Sequence, residues 1–338
     1  MNILTPADQW ANNDGPNPTE PPHGHDVTGT QRLAVFLGVV VPFLGLIGAI
    51  FHWWGRGIGL MEISLLVGGY VLTVLGITVG FHRLFTHKAF EASQPVRILL
   101  AILGSMSLQG PVIRWCAVHR RHHQCSDEEG DPHSPHLHEP GVVNALKQAW
   151  HAHAGWLFGQ EPENLRRSVP DLLADPVVAF VDRTFWYWVA LGLVLPGVAG
   201  GLIAGTWFGA FTGFLWGGLV RMALTHHVTG SINSVCHIWG SKDYQSADES
   251  RNNPVFGLLA LGEGWHNNHH AFPTSARHGL KWYQVDLTWL TIRVLGVAGL
   301  ARDVRLPGES ALRAKQAGDD APRRLPAQGA EDTEHLAA

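Results

Sequence analysis

Lysine is nearly missing from this chain: there are five in 338 residues, and all charged residues together make up only 15 %. Ordinary soluble domains carry about 25 %, so this composition does not supply a conventional solvated surface. No Lys/Arg cluster is present and the net charge is only −4, which leaves no feature that would attract nucleic acid. Cysteine is scarce too. Cys116, Cys125 and Cys236 are an odd number without CxxC spacing, so neither a disulfide framework nor a zinc ribbon fits. Residues 1–31 lack an apolar period and lack a basic segment leading into an apolar core, so they read as a disordered tail and not as a signal peptide. Residues 305–338, built mostly of Ala, Arg, Asp, Glu and Pro, read as a second disordered tail.

Apolar residues reach 46 % and fall in blocks. Runs at 33–51 and 63–80 are each close to the ~20 residues that cross a hydrocarbon core as a helix. Further runs at 186–204 and 207–224 are separated by almost nothing. Trp53, Trp54, Trp186, Trp188 and Trp207 at their ends fit an interfacial belt. Residues 81–184 hold 10 Lys/Arg and residues 225–338 hold 11, against one in the connector at 52–62. By the positive-inside bias, both polar blocks and both termini are expected in the cytoplasm. Arg221, the one charge in or near a span interior, is expected at a cytoplasmic end where it can snorkel. The expected fold is an all-α membrane protein: four transmembrane helices in two hairpins, in a domain 32–304 whose cytoplasmic blocks, 81–185 and 225–304, form a helical cap.

Histidine is the other excess, at 21 residues. Three groups stand out: His82 and His87 in "HRLFTH", His119, His122 and His123 in "HRRHH", and His266, His269 and His270 in "HNNHH". Positions i, i+3 and i+4 share one helix face, so each triplet can converge on a point. Eight imidazoles are too many for one metal, since zinc enzymes usually take three protein ligands. Two metals with about four ligands each match the count. Imidazole suits Zn, Cu, Fe and Ni alike. Clusters beginning at the cytoplasmic ends of spans favour a substrate that lives in lipid. Asp127 and Asp131 in "SDEEGDPH" are placed to hold the second N–H of ligating imidazoles; a solvated acidic loop is the alternative for Asp127.

Over about residues 70–290 the chain resembles the membrane fatty acyl desaturases, specifically the stearoyl-CoA Δ9 type. The resemblance rests on "GITVGFHRLFTHKAF", "WCAVHRRHHQCSDEEGDPH", "HAGWL", "NSVCHIWG" and "GEGWHNNHH". It implies nine histidine ligands, the ninth being His237, with Asn233 reaching a metal through water. It implies a di-iron cofactor that uses O2 and two external electrons to remove hydrogen from adjacent methylenes of a long-chain acyl-CoA. Such C–H bonds have no acidity, so radical chemistry is required and no side-chain base suffices. Gln109, Trp115 and Thr229 match the residues that kink the acyl tunnel, which implies a cis bond at Δ9. Tyr70 precedes His82 by twelve residues, about 18 Å along an α-helix, and is assigned the tunnel floor, with a packing tyrosine as the alternative.

The chain departs from that pattern in two places. Ala117-Val118 stand where the family commonly has Arg-Asp, with the Arg near CoA, and Gly230 replaces a Trp. An acyl-ACP or lipid-bound substrate therefore stays open, as does a fatty acyl hydroxylase on the same scaffold. No His-Pro-Gly-Gly stretch, iron–sulfur Cys set or GxGxxG after a strand is present, so a ferredoxin or similar carrier with an NAD(P)H reductase is implied. The rival from another class is a histidine-rich membrane receptor or metal transporter, which should carry more ionisable residues within its spans.

Overall fold

Apolar length decides the first elements. In the computed structural model, which describes residues 28–137, 141–159 and 165–317, Thr28 caps a helix Gly29–Arg56 through a reciprocal box with Gln31. The helix thus starts inside the segment assigned to the first tail; the rest of that tail, 1–27, lies outside the described residues. A second helix, Leu60–Leu75, runs without a break into the wider π-winding Gly76–Thr86. A third spans Phe185–Ala204. These three are long and apolar enough to cross a membrane. The fourth expected run lies in one continuous stretch: α-helical Trp207–Gly213, π-wound Phe214–Val220, then α-helical Arg221–Ile238. Its Gly and Trp content and the Arg221 charge dilute its apolarity, and it is not among the three.

The third and fourth stretches form a tight hairpin. Gly205 turns the chain at φ +65°, in the left-handed region that favours glycine. The polar blocks fold into short helices, among them Gln94–Ser105, Val112–Gln124, Val142–His153, His266–Ala271 and Leu287–Val297. The largest apolar cluster joins Phe81, Leu100, Val112, Cys116, Val178 and Ile292, so span ends and cap share one core. A two-residue antiparallel pairing, Glu91–Ala92 with Ala301–Arg302, ties the first histidine segment to the C-terminal region.

The segment assigned to the second tail likewise starts with folded residues. Residues 305–317 pack on the cap and include the helix Glu309–Lys315, while 318–338 lie outside the described residues. Leu312 joins Tyr244 and Phe272 in a small apolar cluster, and the Lys315 ammonium donates to the Ala271 carbonyl at 2.7 Å. One leucine and one lysine anchor a segment whose average polarity hides them.

Arg221 does not snorkel. It is 1 % exposed, and its guanidinium donates to the carbonyls of Gly217 (2.8 Å), Met106 (3.2 Å) and Gly192 (3.0 Å) and to the Thr73 hydroxyl (3.3 Å). Backbone oxygens from several helices replace the water it would otherwise seek.

Close approach elsewhere depends on Gly76-Ile77-Thr78-Val79-Gly80, a small-xxx-small spacing of the kind that lets helix backbones touch. A Cβ on Gly76 would stand 2.2 Å from the Gly104 amide nitrogen and 2.5 Å from the Leu103 carbonyl carbon. No rotamer relieves a clash with backbone. Gly76→Ala is therefore expected to cost at least roughly 1–3 kcal/mol, read as a lower thermal midpoint of the detergent-solubilised protein. Gly48→Ala, whose Cβ meets nothing within 4 Å, serves as the control. Equal midpoints for the two variants would refute the crossing as described.

Candidate metal centre

The spacing of His82 and His87 makes sense only with the local winding. In an α-helix residues five apart point about 140° away from each other. Here the His87 amide donates to the His82 carbonyl at 3.1 Å, an i+5 bond of the π type, and both imidazoles fall on one side. The middle triplet rides on the helix Val112–Gln124, where His119, His122 and His123 follow the expected α-spacing. The last triplet sits on a helix of six residues, His266–Ala271, too short to be stable alone. Asn267 and Asn268 hold it in place. Asn267 accepts from the Tyr244 amide (2.8 Å) and donates to the Tyr244 carbonyl (2.9 Å). Asn268 donates to the His278 carbonyl (2.7 Å) and to Gln284 (2.8 Å).

These elements bring nine imidazoles together in two groups. His82, His87, His119, His123 and His269 form one, and His122, His237, His266 and His270 form the other. Within the first, Nε2 atoms approach each other at 3.0 Å (His82–His269), 3.1 Å (His87–His119 and His119–His123) and 2.9 Å (His123–His269). Within the second the distances are 3.4 Å (His122–His270) and 3.1 Å (His237–His266 and His266–His270).

Carboxylates stand behind several rings. His122 Nδ1 is 3.0 Å from both Asp131 oxygens, His237 Nδ1 is 2.9 Å from Asp127 Oδ2, and His270 Nδ1 is 2.6 Å from Asp248 Oδ2. Each carboxylate calls the ring proton to Nδ1. Of the four imidazoles in the second group only His266 is then free to donate from Nε2, and the remaining lone pairs face one another. A bound cation resolves this. With metal–imidazole bonds of about 2.0–2.1 Å, two ligand nitrogens at 90–109° around one ion lie roughly 2.9–3.4 Å apart. The observed spacings fit that range, so the donor set fits metal in both groups.

An apolar cavity opens beside the groups. Its lining includes Val74, Ile77, Thr78, Trp115, Thr229 and Asn233, together with His82, His119 and His266. Gln109 bridges two of these from behind: its amide donates to the Thr229 hydroxyl at 2.8 Å and accepts from the Trp115 indole at 3.3 Å. Tyr70 is not in the lining. Its hydroxyl donates to the Leu259 carbonyl at 2.7 Å, and the span reaches the cavity one turn later, at Val74. Ala117 and Val118 are buried in the main core. Gly230 faces helix Val142–His153, where a Cβ would meet the His153 carbonyl at 2.6 Å.

Sequence reading overlooked Asp248, Glu263 and His278. Asp248 lies in an acidic stretch, "SADES", with no periodicity to separate it from a solvated loop. Glu263 had a signal, being three residues ahead of His266, but one carboxylate inside a glycine turn does not announce a partner. His278 is 1 % exposed, and its Nδ1 lies 3.3 Å from Glu263 Oε2.

A helical protein with apolar spans and two imidazole clusters beside an apolar cavity is a lipid-associated metalloprotein by chemistry. The chain belongs to the fatty acid desaturase family, whose profile matches residues 61–296. It is 44 % identical to a hex-5-enoyl-[acyl-carrier protein] acetylenase of Moorena producens, over 86 % of this chain and 91 % of that protein. Identity is 38 % to an sn-1 stearoyl-lipid 9-desaturase of Anabaena variabilis (78 % and 92 % covered). It is 40 % to an icosanoyl-CoA 5-desaturase of Limnanthes douglasii (75 % and 68 % covered).

Burial, reinforced by neighbouring imidazoles, pushes the basicity of His119, His123, His266 and His269 well below the ordinary value. Burial likewise brings His270 and His278 down to about 4. Neutral rings are what metal binding requires. Burial opposes ionisation of Asp127, Asp131 and Asp248, but the facing His237, His122 and His270 outweigh it and hold these carboxyls below their usual range. Below about pH 6.5 the unfolded chain binds protons on these histidines that the folded chain refuses, so stability falls as pH drops toward 4. The carboxylates act in the same direction over a lower window: their contribution is present above about pH 4 and is lost as pH falls below it. Metal-stripped protein should therefore show a thermal midpoint several degrees lower at pH 5.5 than at pH 7.5. A midpoint that held constant or rose on acidification would contradict the neutral, buried assignment.

Proposed function

We propose that the chain is an O2-dependent di-iron desaturase that introduces a cis double bond, at Δ9, into a long-chain saturated acyl group. The reading rests on one observation above all: two convergent sets of imidazole Nε2 atoms border an apolar cavity. Iron held by the two groups supplies the radical chemistry needed to take hydrogen from unactivated methylenes. The reaction balances as –CH2–CH2– + O2 + two electrons + two protons giving –CH=CH– + two waters.

In this reading the nine histidines are the ligands, and Asn233, in the cavity one turn before His237, reaches the second site through water. Asp127 and Asp131 orient His237 and His122. Trp115 and Thr229, braced by Gln109, bend the acyl chain beside the metal groups and thereby select the carbon pair. Tyr70, one turn beyond the cavity-lining Val74, is the floor of the acyl tunnel in this reading. The fold is read as four spans in two hairpins, with 207–224 as the fourth, and with the cap, the site and both termini in the cytoplasm. Residues 32–304 are taken as the desaturase domain. Electrons come from a separate ferredoxin-like carrier and its NAD(P)H reductase.

An acyl-CoA is the proposed substrate. The acyl-CoA form has no arginine at 117–118 to support it, because Ala117 and Val118 lie in the core. An acyl-ACP or a lipid-bound chain is the second reading. It is favoured by the similarity to an acyl-carrier-protein acetylenase and a stearoyl-lipid desaturase.

Expression in a host without its own desaturase, with double-bond positions mapped in the total, lipid and thioester fractions, tests the activity. A new cis Δ9 product is expected, and none from His123→Ala. Purified wild type should hold two iron ions and each of His123→Ala and His270→Ala about one, since the two residues belong to different groups. Full desaturation by either variant would sink the di-metal assignment.

A further inference from the structure

Glu263 reaches the first histidine group from behind. The turn that delivers it is strained, with Leu261 at φ +55° and Gly262 at φ +124°. A Cβ on Gly262 would stand 2.3 Å from Asp286 Oδ1, so only glycine lets the chain pass there. The Glu263 carboxylate is buried and borders the cavity. Its Oε1 accepts from Arg83 Nε (3.2 Å) and Nη2 (3.0 Å). Its Oε2 lies 2.5 Å from His82 Nδ1 and 3.3 Å from His278 Nδ1.

Arg83 cannot wander. It is fully buried, and its guanidinium also grips both oxygens of Asp286 (3.0 and 3.1 Å) and the Ala276 carbonyl (2.6 Å). The carboxylate it clamps is therefore fixed in orientation. The His278 ring touches the same carboxylate and packs against the His269 ring at 4.4 Å between centroids. Both His82 and His269 belong to the five-imidazole group. Among the described residues, His82 is the one member of that group whose Nδ1 meets a carboxylate, whereas three of the four imidazoles in the other group do.

We propose that Glu263 is the positioning residue of the five-imidazole group: held by Arg83, it fixes the ring and tautomer of His82 and, through His278, buttresses His269. This rests on the five-imidazole group being a metal site. A carboxylate behind a ligating histidine typically carries 10–100-fold in metal affinity, and here that effect is confined to one site of two.

The test is metal titration of full-length detergent-solubilised protein with Co(II), reading both stoichiometry and the visible absorption of each site. Wild type is expected to bind two ions with distinguishable spectra. Glu263→Ala should weaken one site 10–100-fold and alter its spectrum, leaving the other intact. Glu263→Gln, which keeps an acceptor oxygen for His82, should recover part of the loss. Asp131→Asn should weaken the opposite site. Wild type that binds no metal would overturn the underlying reading, not this one alone. Glu263→Ala binding both ions as wild type does would overturn the positioning role. Equal weakening of both sites with a lowered thermal midpoint and no rescue by Gln would reduce Glu263 to a packing residue.

Discussion

Nine imidazoles aimed at each other are the constraint on which the rest of the structure depends. Nitrogen lone pairs about 3 Å apart repel, and burial denies them water to bind instead. A cation between them turns that cost into affinity. The surrounding architecture keeps the rings from turning away: the π-winding that aligns His82 with His87, the carboxylates that hold protons on Nδ1, and the paired asparagines that fix a six-residue helix. Each of these is expensive or marginal by itself, and each makes sense as support for convergence.

The same packing defines what can reach the centre. Helix backbones meet through Gly76 and Gly104, and Arg221 satisfies its donors on carbonyls and a hydroxyl of the crossing helices, so this part of the bundle is closely knit. The cavity is lined by Val74, Ile77 and Thr78 of the second span, by Trp115, Thr229 and Asn233, and by imidazoles of both groups. In the proposed function this is where an unactivated hydrocarbon would lie, with the polar groups marking position along its chain.

Much of this was legible in the sequence because it is periodic. The i, i+3, i+4 triplets at 119–123 and 266–270 and the apolar runs at 33–51, 63–80 and 186–204 announce helices and their shared faces. His237 stands alone in its segment and was reachable only through resemblance. Other features depend on tertiary accidents. Nothing in the composition distinguishes Asp248 from its acidic neighbours, since its partner His270 is 22 residues away. The π-winding leaves no trace beyond the odd five-residue spacing of His82 and His87. Arg221 looked like a snorkelling charge because a linear reading cannot see carbonyls from other helices. Counting α-helical rise gives the distance of Tyr70 from His82 but not the partner of its hydroxyl, which is the Leu259 carbonyl.

The central claim is that two metal ions are held, one in each group, with imidazoles as the only protein groups bonded directly to them. Anomalous diffraction at the iron edge from crystals of the iron-loaded protein tests it most directly. The account predicts two peaks, one bonded to the Nε2 atoms of His82, His87, His119, His123 and His269 and one to those of His122, His237, His266 and His270, with Asp127, Asp131, Asp248 and Glu263 outside bonding range. A single peak, or a peak bonded to any of those carboxylates, would contradict it.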